Sequence, residues 1–597
     1  MAVAAANSLK QGSAPVYEQL CSADNRRSAA DTASMNSVFH SAYFLFTSEI
    51  AHTTNWRRLL STMALCDATG TLHNFLANSP ANAHHLSTTA ATDILEAYGV
   101  AISDNVRARI CACKEYALMA DESTNCNGQE MTSICVRFFE NKSIKEIFLG
   151  CWPLETTKAI AVHKCIIDAL DEFNLDPANL VAVSFDGASN MSGDHGGVQA
   201  LLQQQAPSLI IVHCRSHVLQ LAMVKATNNI PEVKRIIGIL NKLYSFFQHS
   251  PLRLGVLKTV EMAIDGQSHK LVQACDTRWL SNAGSVLVIL QHYCAILLAL
   301  ESIYVTAGNL SSDAGGLLLT LKKPSTLFLI TLLHEVFEPL ARLSKCLQSS
   351  EGNISSAMAI AKAVTDRISC LDLDKIHALA TATQQKIITA GGKMVSDDDI
   401  SLPQQTMVAK NYIKTIVTNL RMRFSDAVSD LSIMHNILHE KPADADFSKV
   451  AAVLQMSNDE LELEWHILRR MPGDLSSNAA MLDLALSGDK QSMFPNFSAA
   501  CRKLLLLPIG TASVERSFLT MNRIMNSQRC RLNPAHIRQL MQLSIEGPAI
   551  PDVRSLDKES LDQPESDQDA NFSLLTDAAF AVWLSKPRRG VHNIINM

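Results

Sequence analysis

The apolar positions of this chain change their spacing several times, and each change marks a different element. Residues 1 to about 110 are rich in Ala, Ser and Asn, with apolar blocks at Val38–Phe46 and Trp56–Leu65. They read as a flexible start followed by a helical lead-in. From Tyr116 the runs become short, β-branched and aromatic. Tyr116–Met119 ends in Ala120-Asp121-Glu122-Ser123, and Met131–Phe139 and Ile144–Trp152 follow, parted by Glu140-Asn141-Lys142-Ser143, a hairpin turn by composition. Val162, Ile166, Ala169 and Phe173 then recur at helical spacing until Asp176-Pro177 interrupts them. Leu180–Phe185 is a fourth strand ending at Asp186-Gly187, Val198–Gln204 a short helix, Leu209–His213 a fifth strand and His217–Phe247 a long helical stretch. Three strands, helix, strand, helix, strand over residues 111–250 is the order of an α/β ribonuclease-H-like fold with a mixed sheet.

From 251 to 495 the strand signal stops. Leu329, Leu333, Val336, Leu340, Leu343 and Leu347 make one helical stripe, and Ile354, Met358, Ala361, Val364, Ile368 and Leu371 another. Pro339 is expected to kink the first, and Ala390–Gln405, with Asp397-Asp398-Asp399, to form a loop. This region is a large all-α insertion. Residues 496–547 turn helical again with Val514, Phe518, Met521 and Met525 on one face, and 548–597 form an acidic, partly disordered tail with an apolar patch at Ala578–Leu584.

Composition narrows the class. The 47% apolar and 18% charged residues exclude wholesale disorder, and a net charge of -6 argues against nucleic-acid binding through the whole surface. The fifteen cysteines show no C-x-x-C pair, and the start lacks a basic region followed by an apolar block. The most apolar stretches, Ser285–Val305 and Gly315–Phe337, are interrupted by polar residues. The expectation is a soluble, intracellular protein with reduced thiols and no membrane span.

Candidate chemistry begins with two carboxylates. Asp121 and Asp186 each stand at the end of an expected strand, where a backbone positions a side chain rigidly at the rim of a sheet. Carboxylates from neighbouring strands can hold two divalent ions roughly 3.5–4 Å apart for phosphoryl transfer, and Mg²⁺ suits hard oxygen ligands. By itself an acidic residue at a strand end is more often a solvated turn. Glu515, beside Val514, falls about 100° round the late helix, at the edge of its apolar face. Between Arg502 and Arg538 lie seven Lys/Arg, Arg516 and Arg523 among them, against one acidic residue, Glu515. That excess suits either phosphate contact or a plain solvated helix face.

Three stretches together closely resemble the hAT transposases, in the branch of the zinc-finger MYM-type and TTF-type-like proteins: Ala120-Asp121-Glu122-Ser123-Thr124-Asn125, Phe185-Asp186-Gly187-Ala188-Ser189-Asn190-Met191-Ser192-Gly193, and Thr511-Ala512-Ser513-Val514-Glu515-Arg516-Ser517-Phe518. The resemblance runs from about residue 110 to 547. It implies a DDE triad of Asp121, Asp186 and Glu515 on a ribonuclease-H-like core, interrupted by a helical domain before the third acid. It also implies a C-terminal dimerisation region at 496–547. Cys214 and His217 match the family's C-x-x-H pair; two ligands make a poor zinc site, and structural or DNA-proximal packing is the better reading. Arg278-Trp279 matches the family's Arg-Trp motif, whose tryptophan stacks on a displaced base, although a buried anchor is a live alternative.

Two functional readings follow, with a two-metal nuclease outside transposition as a distant third. In one, a nuclear DDE transposase binds transposon ends as a dimer or higher oligomer and cleaves and transfers DNA strands with Mg²⁺ or Mn²⁺. In the other, a domesticated or degenerate copy dimerises and associates with DNA or chromatin without catalysis. The absence of a Cys/His finger before Tyr116 favours the second, and the intact triad favours the first. Lys586-Pro587-Arg588-Arg589 is a short basic run compatible with nuclear import but usual in any basic tail.

Overall fold

The computed structural model describes residues 16–79, 85–111, 113–186, 197–273, 279–307, 312–349, 354–389, 391–395, 401–425, 447–470, 478–551 and 567–586. The chain is mostly helical with a small mixed sheet. It divides into two compact units, one drawn from Met1–Glu140, Lys145–Asn179 and Ser513–Met597, the other from Asn141–Ile144 and Leu180–Ala512.

In the first unit, strands β1 (Tyr116–Thr124) and β2 (Glu130–Glu140) pair antiparallel, with Met119 opposite Cys135 and Asp121 opposite Ser133. A third strand, β3 (Ser143–Pro153), follows a turn in which Asn141 and Lys142 both take positive φ, 47° and 59°. Two successive left-handed residues are what a tight hairpin turn demands, and Asn tolerates them best. Directly opposed residues of an antiparallel pair point to one face. Met119, Met131 and Cys135 therefore share a face, and all three belong to an apolar core that also contains Val514, Phe518 and Met521.

The rest of that core comes from both ends of the chain. Helices Val16–Thr47, His52–Cys66, Thr71–Asn78 and Thr88–Cys111 precede β1, and helices Pro534–Glu546 and Asp567–Ser585 come some 400 residues later. Phe39, Tyr43, Phe46, Trp56 and Tyr98 pack with Ile537, Leu540, Leu543, Phe572 and Trp583. The Thr88–Cys111 helix packs against both late helices, and small residues such as Ala97, Gly99 and Ala101 let them approach it. Each large apolar side chain so buried contributes about 1.5–3 kcal/mol. The polar tips of the buried aromatics are satisfied: Trp56 Nε1 donates to the His85 carbonyl at 2.8 Å, and the Tyr43 hydroxyl to the Pro548 carbonyl at 2.7 Å.

Several sequence expectations change here. The helical lead-in expected before residue 110 runs from Val16 and forms core; the expected flexible start falls on residues 1–15, outside the described set. β1 continues through Thr124, so Asp121 lies within the strand and not at its end, because the long partner β2 extends the ladder as far as Glu130. The tail turns helical at Asp567, since Phe572, Leu575, Ala579 and Trp583 bury one face at helical spacing; residues 552–566 lie outside the described set.

In the second unit, β4 (Leu180–Phe185) pairs parallel with β5 (Ile210–His213). The expected long helix of 217–247 is two, Arg215–Asn228 and Pro231–Gln248, because Pro231 has no N–H to give and starts a new helix. Between 251 and 495 all regular elements among the described residues are helical. Helix Pro324–Leu347 lies at the centre of this unit, and Pro339 sits inside it without ending it. The expected loop at 390–405 gives way at Leu402 to a helix capped by Ser401 and Gln404; Asp397-Asp398-Asp399 lie outside the described residues. The buried carboxylate of Glu464 accepts from the backbone of Asn496 and Phe497, at 3.1 and 2.7 Å, satisfying the first turn of helix Pro495–Leu506. No single helix among the described residues is long and apolar enough to cross a membrane.

One buried acid makes the first unit sensitive to pH. Glu546 Oε1 accepts from the Phe148 backbone at 2.7 Å, while Arg109 lies 3.8 Å from Oε2 and is held more closely by Glu140 at 2.7 Å. Burial pushes the Glu546 carboxyl up to about 7. The folded state thus holds its proton more tightly than the unfolded chain. The stability this provides is fully present at pH 4.5 and below, and is lost as pH rises through 7. Glu546→Gln, which keeps the Phe148 hydrogen bond, should remove that loss. Thermal melts between pH 5 and 7.5 should show a flatter profile for the variant, with a gain of at most about 3 kcal/mol at the upper end. Parallel profiles would refute it.

Candidate functional site

The first unit provides a platform for two of the expected acids. Asp121 is half-buried on β1, and its Oδ1 accepts from the Glu122 backbone at 2.9 Å. Its ladder partner, Ser133, points to the same face and meets Ser517 of helix Ala512–Ile524, with the two hydroxyl oxygens 2.6 Å apart. Ser133 and Ser517 are both buried, so neither hydroxyl has water as an alternative partner.

One turn earlier the helix is held again. Ser513 donates to the Glu146 carboxylate on β3, and Glu146 also pairs with the buried Arg137 of β2 at 2.7 Å. Burial pulls the Arg137 guanidinium below its usual range, and the Glu146 charge opposes that. Ser513 and Ser517 stand four apart, so both contacts lie along one face of the helix. Val514, Phe518 and Met521 continue the buried side, and Glu515 stands at its exposed edge. At 1.5 Å per residue, Glu515 lies about 3 Å along the axis from the residue that touches Asp121's partner. The helix that carries Glu515 is thus docked on the sheet face that carries Asp121.

Asp186 follows directly on β4, whose last paired residue, Phe185, stands opposite His213. It is half-buried and belongs to the second unit, whereas Asp121 and Glu515 belong to the first. Residues 187–193 of its motif lie outside the described set. As donors, three carboxylates form an all-oxygen set that suits a hard divalent cation.

The other expected residues take different places. Cys214 is buried, and its thiol accepts from the Thr511 backbone and hydroxyl at 3.4 and 3.3 Å. The neighbouring Arg215 N–H donates to the Ile509 carbonyl at 3.0 Å. A Cβ at Gly510 would stand 3.2 Å from the Cys214 sulfur, so glycine suits this close approach. The Cys214 end of β5 therefore anchors the segment that leads into the Glu515 helix. His217 is half-buried one turn into helix Arg215–Asn228. Trp279 opens helix Trp279–Gln291, and Arg278 lies outside the described residues.

Much of the basic excess is engaged within the chain. Arg523 makes a two-pronged pair with Glu49, at 2.5 and 2.8 Å. Arg529 donates to the Glu49 carbonyl, Arg538 pairs with Glu172 at 2.7 Å, and Lys503 donates to the Leu454 carbonyl at 2.8 Å. Arg516 is exposed and reaches Ser513 at 2.8 Å. Sequence reasoning missed Glu49, Glu172, Ser133 and Glu146, since a partner distant along the chain leaves no local pattern. The one available signal was Arg137, a charge inside the apolar run Met131–Phe139.

Two comparisons with family models bear on this arrangement. Residues 46–197 match an RNase-like domain described as ZMYM1/FAM200, which spans β1 to β4 and fits the small mixed sheet. Residues 483–544 match the hAT family C-terminal dimerisation region, which contains the helix of Glu515 and starts thirteen residues before the boundary expected at 496. The two matches bear out the resemblance carried by the three acidic motifs, and they are consistent with a transposase-like protein of the hAT type.

Proposed function

We propose that this protein is a hAT-type DDE transposase acting on DNA in the nucleus, with a ribonuclease-H-like core interrupted by the helical insertion of 251–495. The observation that carries the reading is the docking of the Glu515 helix, through Ser517 and Ser133, on the sheet face of Asp121. A late acid brought back to an early strand is what a triad scattered along the sequence requires.

In this reading Asp121, Asp186 and Glu515 hold two Mg²⁺ or Mn²⁺ ions. Bound there, such ions polarise the scissile phosphate and support the attacking and leaving oxygens. The Asp121 carboxylate accepts from the Glu122 N–H through Oδ1, which orients it on the strand. Glu515, at the open edge of its helix, has solvent access on the side away from Val514. As the family motif Arg278-Trp279 implies, Trp279 would stack on a base displaced near the cut. Cys214 and His217 support the DNA-proximal end of β5, and the C-terminal region joins two copies of the chain.

A second reading, a domesticated protein that dimerises on chromatin without cutting, is favoured by the pairing of Arg523, Arg529 and Arg538 within the chain, which weakens the expected phosphate-binding stripe.

Three experiments separate these readings. With Mg²⁺ or Mn²⁺ the purified chain should nick DNA carrying its own element's ends, and Asp186→Asn and Glu515→Gln should each reduce nicking to the level of a metal-free control with the fold intact. Equal nicking by either variant removes that residue from the metal site. In DNA-binding titrations across salt concentrations, Arg516→Ala should lower the slope of log K against log[salt] by about 1, while Arg523→Ala leaves it nearly unchanged. A drop for Arg523→Ala as large as for Arg516→Ala would restore it as a phosphate contact. Finally, Leu519 is 58% exposed on the Glu515 helix, whose other large apolar residues are buried within the chain. Sedimentation at micromolar concentration should show self-association that Leu519→Glu weakens at least tenfold, about 1.4 kcal/mol. A strict monomer before mutation contradicts a dimerising role.

A further inference from the structure

We propose that Glu261, His269 and His292 form a zinc-class metal site inside the helical unit, distinct from the all-oxygen triad. Glu261 lies near the end of helix Pro251–Asp265, His269 in the segment after it, and His292 between helices Trp279–Gln291 and Tyr293–Ala307. One donor atom from each lies within 4.8 Å of the other two. All three residues belong to the second unit.

Three observations point to a cation. Glu261 is fully buried, and among the described residues its Oε1 has no hydrogen-bond partner; only Oε2 is used, accepting from the His269 backbone at 3.0 Å. A buried carboxylate with an oxygen left bare is costly unless a positive charge faces it. His269 Nδ1 is likewise buried without a partner. His269 and His292 stack with ring centroids 3.9 Å apart and planes 27° from parallel, a contact that two imidazolium rings would oppose. The neutral ring is the form that ligates metals.

The donor set names the class. Two imidazole nitrogens and one carboxylate oxygen suit zinc or a neighbouring transition metal, whereas Mg²⁺ and Ca²⁺ prefer oxygen throughout. With Zn–N and Zn–O distances of about 2.0–2.2 Å, tetrahedral donors stand about 3.3–3.5 Å apart, so binding draws the three side chains inward and tilts the stacked rings open. Three protein ligands leave a fourth position for water. In sequence the three bracket Trp279, so the metal ties together the two stretches that flank it. A single Glu or His here would be an ordinary buried polar residue; the shared cluster with two bare buried atoms is what distinguishes this place.

The test uses the full chain, stripped with chelator and dialysed against limiting Zn²⁺ or Co²⁺. Elemental analysis should find one more equivalent of zinc in the wild type than in His269→Asn or in the near-isosteric Glu261→Gln, with circular dichroism reporting the fold. The cobalt form should show the intense visible bands of four-coordinate nitrogen and oxygen ligation, without the near-ultraviolet band of a thiolate ligand. Equal metal content in wild type and variants overturns the site. A thiolate band lost on cysteine substitution, or no four-coordinate cobalt spectrum in the wild type, overturns it even if both variants fail to fold. Because none of these readouts involves DNA cleavage, a silent triad and an absent zinc site remain distinguishable.

Discussion

The first unit depends on the return of the chain's last hundred residues to a sheet laid down near its beginning. One face of β1 and β2 presents Met119, Met131 and Cys135, and an apolar face cannot remain open to water. Its cover comes from Val514, Phe518 and Met521, with Ser133 and Ser517, 384 positions apart, matched by a hydrogen bond inside that contact. Apolar burial supplies the drive, and the polar pairs fix the register. A helix free to slide by one turn would take Ser517 from the buried Ser133 hydroxyl and Ser513 from Glu146.

That constraint links folding to chemistry. Glu515 is exposed, and the buried neighbours Val514 and Ser517 fix the stretch of helix that carries it. Cys214 and Thr511 act on the other end of the same segment, where the second unit holds the residues just before the helix. In the proposed triad, Glu515 would have to be held closely yet remain accessible to ions and substrate. A helix docked by the residues on either side of its acid is compatible with both requirements.

The same packing accounts for the charges. Arginines and lysines between 502 and 538 contact acids or carbonyls elsewhere in their own unit, Arg523 on Glu49 and Arg538 on Glu172 among them. The exposed pairs contribute little energy, about 0–1 kcal/mol each, but they set orientation. A basic run inside an acidic protein is therefore as much a structural clamp as a surface for nucleic acid. The balance between those roles depends on which guanidinium groups are engaged within the chain: on the Glu515 helix Arg516 and Arg523 are both exposed, and Arg523 is held by Glu49.

Local spacing by itself determined a good deal: strands β2 to β5 to within a residue or two, the turn at Asn141-Lys142, the all-helical stretch after 251, and the acidic motifs that carry the family resemblance. These features arise from neighbours along the chain, through side-chain alternation, turn chemistry and helical periodicity, and so they are written locally. What only the tertiary structure decided involves partners far apart. The weakly patterned helices before 110 became core because the late helices surround Thr88–Cys111 on several sides, which blurs the one-sided stripe that sequence reading relies on. Asp121 moved into the body of its strand because β2 was long enough to extend the ladder, and the pairing of Arg523 with Glu49 and the meeting of Glu261 with two histidines depended on loops closing between elements. No spacing rule encodes such meetings, because chain entropy lets distant residues pair in many ways and only the packed core selects one.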